Sequence, residues 1–456
     1  MLTYELKKAP GVPLYEALYR CIRGDILSGK LQPGEKLPSK RALAAHLEVS
    51  KITVEGAYNQ LLAEGFISSR EKVGYFVETI STAAALPEMT VPPVEAREQL
   101  IDLTGSHTAR FPFSVWSRLQ RAVMLDLGQS LLQPIPHNGT LQLRQAIASH
   151  LQAFRGMQVS AENVFVGAGT DFLYNILVQL LGREKCYAVE EPGYGKIRKI
   201  YAAAGVSCIG VPLDEQGVIP ERLQDAQVLH ISPNHHFPTG LVTPLSRRQS
   251  LLQWVAEGED RYIIEDDYDS EFRFDAHPMP SMQSMDGTGR VIYMNTFSRS
   301  LAPSIRISYM VLPQKLMQML HDRLGFYSCT VPSFEQYTLA RFIREGYFEK
   351  HINRMRKFYK ARRNRMLTML ENSRYRDYLT IFEADAGVHF LVKTPLADGE
   401  LEAHCRQMGI LVQTLSGFYH GTVPEEHRCT LVVNYGGLSD AELDRLERVL
   451  SKSVAI

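Results

Sequence analysis

The chain has 456 residues, too many for one ordinary core, so two or three domains are expected. Hydrophobic residues make up 45% and charged residues 22%, the balance of a soluble globular chain, and Lys+Arg equals Asp+Glu at 50 each, so overall charge points to no partner and any nucleic-acid signal must be local. The six cysteines have no metal-ligand spacing, the first residues lack an apolar signal core and no apolar run reaches membrane-spanning length; disulfides, zinc and a membrane span are set aside, and a cytoplasmic setting is expected.

The first zone, residues 13–77, is short and helix-rich. PLYEALYRCIRGDIL carries Leu14, Leu18, Ile22 and Ile26 roughly on one face of a helix. LQPGEKLPSK reads as a turn, after which Ser39 caps the helix KRALAAHL. EVS then turns tightly and Ser50 caps KITVEGAYNQLLAEG. Two short helices joined by a tight turn form a helix-turn-helix, whose second helix enters the major groove with its first residues, here Ser50, Lys51, Ile52 and Thr53. FISSREKVGYFV reads as two strands with a turn near Glu71 to Val73, a wing in which Gly74 lets the backbone approach a groove. Residues 1–77 hold eleven Lys+Arg against eight Asp+Glu, a modest net +3, but Lys36, Lys40, Arg41 and Lys51 face only Glu48 within residues 36–51, which suits phosphate contacts. A helical docking domain with solvated lysines is the plainer alternative. Residues 78–99, with Pro87, Pro92 and Pro93 among small and polar residues, read as a linker.

From residue 100 onward the pattern changes. NVFVGAG, CYAVEEPGY, VSCIGVPL, QVLHISP, RYIIEDDY, VIYMNTF and ISYMVL are short apolar runs, with helical patterns such as TDFLYNILVQLLG between several of them. Seven buried strands alternating with helices predict an α/β fold, a mostly parallel sheet covered on both faces, followed from about Gly325 by a smaller α+β lobe. Ligands of such sheets sit beyond the carboxyl ends of the strands. Gly169, Tyr194, Asp266 and Arg299 fall at those ends.

The residues there suit a phosphorylated pyridine aldehyde. VGAGTDFL puts Gly169 and Thr170 between strand and helix, a cradle for phosphate. EEPGYG puts the Tyr194 ring where it can stack, although a surface tyrosine is the commoner case. YIIEDDYDSEFR offers Asp266 to a pyridine nitrogen and Tyr268 to a phenolic oxygen; TFSRSLAPSIR offers Thr296 and Arg306 to phosphate, with Ser298 among the cofactor-site residues. His235 and His236 in SPNHHFPTG have no accompanying ligand set, so no metal is expected. The run from Arg341 to Arg365 holds ten Lys+Arg against Glu345 and Glu349; it reads as a helix with salt bridges to its own lobe in preference to a DNA-facing stripe.

Residues 13–77, above all GEKLPSKRALAAHLEVS and TVEGAYNQLLAEGFI, resemble the winged helix-turn-helix of the GntR family. That likeness implies DNA contacts from Arg41, Lys51, Thr53 and the wing around Gly74; Lys51 departs from the usual Arg, which weakens bidentate base readout. EDDYDSEFR, PTG and TFS-x-SLAPS-x-R resemble fold-type-I aminotransferases, and the two parts together resemble the MocR subgroup of GntR regulators. The resemblance implies three segments: a winged helix-turn-helix domain (1–77), the linker (78–99) and an aminotransferase class I/II-like effector and dimerisation domain (100–456). It also implies operator DNA as partner, a small-molecule effector, pyridoxal 5′-phosphate as cofactor, and a head-to-tail, domain-swapped homodimer.

Two positions depart from the resemblance. Arg299 stands where the family has the lysine that bonds to the cofactor. A guanidinium stays protonated and is no competent amine, and no lysine occurs from Arg261 to Leu312. Val432 in CTLVVNYGGLSD falls near the family's carboxylate-binding Arg, for which Arg428 is the nearest substitute. The expectation is a DNA-binding transcription regulator whose pocket holds pyridoxal phosphate without a covalent bond. The alternative is a PLP-dependent aminotransferase with an appended DNA-binding domain, against which Arg299 speaks. A simple Lys-to-Arg exchange in an active family member also explains Arg299, though not Val432.

Overall fold

A computed structural model of the chain describes residues 2–4, 13–70, 73–79, 100–105, 110–272, 279–382 and 387–451. Most of the expected linker (80–99) and residues 71–72 of the expected wing turn lie outside the described residues. The chain divides into two compact units, Met1–Arg97 and Glu98–Ile456.

In the first unit, α1 (Leu14–Leu27) buries Leu18, Ile22 and Ile26 against α3 (Lys51–Ala63), whose Val54, Ala57, Tyr58 and Leu61 face back. Helix α2 (Lys40–His46) starts at Ser39, whose hydroxyl accepts the Ala42 N–H at 3.2 Å, and α3 starts at Ser50, whose hydroxyl accepts the Thr53 N–H at 3.1 Å. Both caps satisfy donors that a helix start leaves open. The wing strands β2 (Ile67–Arg70) and β3 (Gly74–Val77) pair antiparallel. LQPGEKLPSK is more than the turn expected of it: β1 (Lys36–Leu37) joins the free edge of β3, making a three-stranded sheet. Gly74 has φ 133°, so the backbone there calls for glycine.

In the second unit the elements run β4 (Ile101–Asp102), α4 (Phe113–Leu127), α5 (Leu141–Arg155), β5 (Val164–Gly167), α6 (Thr170–Leu181), β6 (Cys186–Glu191), α7 (Gly195–Ala203), β7 (Ser207–Asp214), β8 (Gly217–Val218), β9 (Val228–Ile231), α8 (Leu245–Glu257), β10 (Tyr262–Asp266), α9 (Met282–Met285), β11 (Val291–Thr296), α10 (Phe297–Ser300) and β12 (Ser308–Val311). All seven apolar runs form strands. The sheet order is β5-β12-β11-β10-β9-β6-β7-β8. The two-residue β8 is an eighth strand beyond the seven expected, folded back on β7. Strand β12 is antiparallel to both neighbours, while β11, β10, β9, β6 and β7 pair in parallel. Because β12 runs the other way, its start lies at the edge where β10 and β11 end. Arg306 therefore meets Asp266 and Thr296 at one rim.

The remainder, α11 (Gln314–Leu324), α12 (Ser333–Arg344), α13 (Tyr347–Glu371), β13 (Thr380–Phe382), β14 (His389–Lys393), α14 (Asp398–Gln407), β15 (Ile410–Leu411), β16 (Gln413–Thr414), β17 (Thr430–Asn434) and α15 (Asp440–Ser451), forms the smaller lobe and the helices leading to it. Its sheet order is β13-β14-β17-β16, and β4 from the start of the unit pairs in parallel with β15. Part of the basic run on α13 is tied into the unit, while Lys350, Arg354 and Lys357 are exposed: Arg362 pairs with Asp440 at 2.9 Å, Arg365 with Asp444 and Glu447, and Arg356 donates to the Glu271 carbonyl at 2.6 Å. Among the described residues no helix is long and apolar enough to cross a membrane. Removing the α2 cap with Ser39→Ala is expected to lower the protection of α2 amides against hydrogen exchange by about 1 kcal/mol, leaving amides of the second unit unchanged.

Candidate functional site

A cavity of about 430 Å³ opens at the carboxyl rim of the large sheet. Of the expected residues, Thr170, Tyr194, Asp266, Tyr268, Thr296, Ser298 and Arg299 all line it; Gly169 and Arg306 are not among its lining residues, although Gly169 immediately precedes Thr170. Asp266, at the end of β10, is buried. Its Oδ2 accepts the Tyr174 hydroxyl at 2.5 Å and lies 3.4 Å from His230 Nε2, while Oδ1 has no hydrogen-bond partner among the described residues. Burial and the charge of Asp266 push the Tyr174 phenol far up, so it remains a donor. His230 Nδ1 is in turn 2.7 Å from the Tyr201 hydroxyl.

At the opposite side, Gly169 (φ 90°) precedes α6. A Cβ on it would stand 2.3 Å from the Arg306 guanidinium, which crosses there to reach Asp171 and the Ala168 carbonyl, both at 3.3 Å. Thr296 accepts the Ser298 N–H at 3.1 Å and the Ser308 hydroxyl at 2.7 Å. The Ser298 hydroxyl oxygen is buried without a partner among the described residues. Arg299 holds its guanidinium 5.6 Å from the centre of the Tyr268 ring. Burial raises the Tyr268 phenol well above its ordinary value, opposed by Arg299, so its hydroxyl also stays protonated. That hydroxyl lies 3.4 Å from His235 Nδ1, which Asp269 holds at 2.8 Å. Tyr194, at the start of α7, is 49% exposed at the mouth, edge-on to Phe237.

Several lining residues were not anticipated. Tyr174 lies in α6 and His230 in β9, both buried. Glu190 had a readable signal, an acid ending an apolar strand. Its Oε2 accepts the Ser232 N–H at 2.9 Å, and burial pushes its carboxyl up to about 8. Glu191 Oε1 accepts the N–H groups of His420 and Gly421, both at 2.8 Å, which ties the rim to the smaller lobe. From that lobe Asn434 also reaches the cavity, with its Oδ1 buried and unpartnered.

The substitute considered for the carboxylate-binding Arg is not met by the geometry. Arg428 does not reach the cavity: it precedes β17 on the surface, half exposed, paired with Glu425 at 3.2 Å. Val432 is buried among Leu391, Leu415 and Phe418. His235 and His236 diverge, towards Asp269 and Thr239 respectively, and no group of three or more metal-ligand residues forms among the described residues.

In the winged module, Arg41, Ser50 and Lys51 are exposed and Thr53 half-buried at the start of α3, beside Ile52, which is 79% exposed. Lys40 is different. Its ammonium pairs with Glu55 at 2.8 Å and lies 5.5 Å from the Tyr75 ring, binding α2, α3 and the wing together.

Residues 14–77 match the bacterial regulatory proteins of the gntR family, and residues 102–450 match aminotransferase class I and II. The large domain is similar to solved aminotransferases. It aligns with the kynurenine aminotransferase of Pyrococcus horikoshii at TM-score 0.67 and 25% identity, over 78% of this chain and 91% of that one. The multiple-substrate aminotransferase of Thermococcus profundus aligns at TM-score 0.67 and 24% identity, over 78% and 92%. Fold and modules together define a helix-turn-helix transcription regulator with an aminotransferase-like domain. Over nearly its whole length the chain is 36% identical to the HTH-type transcriptional regulator YdeL of Bacillus subtilis (97% of each chain). It is 32% identical to the probable rhizopine catabolism regulatory protein MocR of Rhizobium meliloti (95% of this chain, 92% of that one). It is 30% identical to the pyridoxine biosynthesis transcriptional regulator PdxR of Corynebacterium glutamicum (88% of each). The chain belongs to this MocR-type family of GntR regulators.

Glu190 generates a pH prediction. Its carboxyl is raised in the folded chain, so the folded state holds a proton that the unfolded state releases near pH 4.5. Stability therefore falls as pH rises from about 4.5 to about 8. Glu190→Gln keeps the acceptor for Ser232 and is expected to flatten this decline, making the variant the more stable protein at pH 8 in urea unfolding.

Proposed function

We propose that this regulator binds operator DNA through its winged module and reads, in the aminotransferase-like cavity, pyridoxal phosphate or a close relative that it holds without a covalent bond. The observation that carries the reading is the unpartnered Asp266 Oδ1 in the same cavity as Arg299. A buried acceptor without a partner costs about 1–3 kcal/mol, and a protonated pyridine nitrogen is a fitting donor. Ser298, Thr170 and the Gly169 turn suit the phosphate, with Arg306 beside them on Asp171. Tyr268 suits the phenolic oxygen. Pyridoxal phosphate supplies, when bound, an aldehyde and an electron-withdrawing ring. Arg299 offers no amine to that aldehyde, so the protein retains the ligand instead of converting amino acids. The name of the similar PdxR, a regulator of pyridoxine biosynthesis, agrees with a B6-type ligand.

Titration of the purified protein with pyridoxal phosphate is expected to give saturable binding with no adduct trapped by borohydride, whereas Arg299→Lys yields a trapped adduct. An adduct in the unaltered protein, or turnover of amino acids by it, would sink this reading and favour the aminotransferase one.

On DNA, Arg41 and Lys51 take phosphate or base contacts, the start of α3 with Ser50 and Thr53 approaches the groove, and Ile52 offers an apolar contact to a thymine methyl. The wing at Gly74 follows. Lys40 acts from inside the module by fixing α3. We place the protein on its operator as a head-to-tail, domain-swapped homodimer. Exposed apolar side chains on the large domain, Phe113, Leu125, Leu132 and Phe326, support a subunit contact. The double variant Arg41→Ala, Lys51→Ala is expected to flatten the plot of log affinity against log salt by about four for a dimer and about two for a monomer. An unchanged slope would remove both residues from the phosphate contacts.

A further inference from the structure

The proposed ligand is a ring with a fixed pattern of substituents, and that pattern says what Arg299 faces. In a pyridine of the B6 type, the carbon opposite the ring nitrogen stands between the phenolic oxygen and the phosphate arm. With the nitrogen at Asp266, the phenolic oxygen at Tyr268 and the phosphate at Thr170 and Ser298, the substituent on that carbon meets the wall between Tyr268 and Ser298. Arg299 forms this wall: it follows Ser298 in the chain, lines the same cavity and carries its guanidinium 5.6 Å from the centre of the Tyr268 ring. Its backbone neighbour is fixed as well, since the Ser300 carbonyl accepts from His351 Nε2 at 2.9 Å.

We infer that Arg299 makes the cavity choose among B6 phosphates by the charge on this 4′ substituent, accepting a carboxylate or an aldehyde oxygen and rejecting an ammonium. This rests on the function proposed above. A guanidinium donates up to five hydrogen bonds and accepts none, so a carboxylate or carbonyl oxygen pairs with it. An ammonium offers it only donors and a like charge, which a partly enclosed site screens poorly.

The acidic groups facing the cavity do not reverse this. Asp266 is directed to the ring nitrogen. Glu191 Oε1 is held by two backbone N–H groups, and Asp269 by His235. Burial pushes the Glu190 carboxyl up to about 8, so it is largely uncharged at neutral pH. Burial, His235 and Arg299 itself hold His389 well below its ordinary value, so it adds no competing cation, and Arg198 at the mouth adds positive charge. The cavity thus disfavours a cation at this point and favours an anion.

The test is calorimetric titration of the full-length protein at pH 7.5 with pyridoxal 5′-phosphate, pyridoxamine 5′-phosphate and the corresponding 4′-carboxylate. The aldehyde and the carboxylate are expected to bind at least about tenfold more tightly than the amine, a difference of about 1.4 kcal/mol. Arg299→Gln is expected to bring the three affinities within about threefold of one another. Equal or tighter binding of the amine by the unaltered protein overturns the inference, and that arm needs no variant to fold. So does a preference that survives Arg299→Gln. If none of the three binds, the B6 reading itself falls; if all bind alike, only the selectivity falls.

Discussion

The site depends on one constraint: Asp266 is buried at a strand end with half its carboxyl satisfied. Oδ2 has Tyr174 and His230, and Oδ1 has nothing among the described residues. Native interiors leave few such atoms, and those that persist tend to mark function. Tyr174, on α6 packed against the sheet with Leu173, Ile176 and Leu177, gives its one hydroxyl proton to Oδ2. The carboxyl is thus held ready for a donor that the described residues do not provide. Thr296 and Ser298 at the end of β11, and Gly169 before α6, are set around the same opening.

Arg299 changes what such an opening can do. A pocket for a reactive aldehyde normally carries an amine whose proton can be lost by burial; a guanidinium keeps its proton and its planar set of donors. On the proposed reading, the same position turns from a chemical partner into a recognition element. Val432, closed into an apolar cluster, and Arg428, paired with Glu425 outside the cavity, point the same way: the strand facing the pocket from the smaller lobe offers Asn434 and no cation.

Much of this was legible in the sequence, for physical reasons. Strands covered on both faces read as unbroken apolar runs, so the seven runs became seven strands, and the residues just after them became the rim. Caps are local, so Ser39 and Ser50 could be placed from spacing alone. What was missed is either very short or non-local. Lys36–Leu37 and Gly217–Val218 are two-residue strands with no periodicity to detect. Ile101–Asp102 owes its structure to Ile410–Leu411, far along the chain. Tyr174 and His230 carry ordinary core residue types in ordinary core positions; only the fold reveals that their polar ends converge on Asp266. Lys40 looked like its exposed neighbour Arg41 because nothing local announces Glu55 or the Tyr75 ring.

A sensor also needs more than a pocket, since a ligand that binds two conformations equally shifts neither. Here the cavity wall is composite. The large sheet supplies Asp266, Thr170 and Arg299, while the smaller lobe supplies His420 and Asn434, and Thr104 comes from the segment whose β4 pairs with that lobe. The lobes are joined at this rim by few polar links: Glu191 to His420 and Gly421, the Gly193 N–H to the Phe418 carbonyl, and His389 Nε2 to the Pro238 carbonyl. Any group that satisfies Asp266 on one side and the buried Asn434 Oδ1 on the other binds best at a single separation of the two lobes. On the proposed reading, that dependence on separation is what gives a non-covalent ligand purchase on the conformation of the domain, with no bond made or broken.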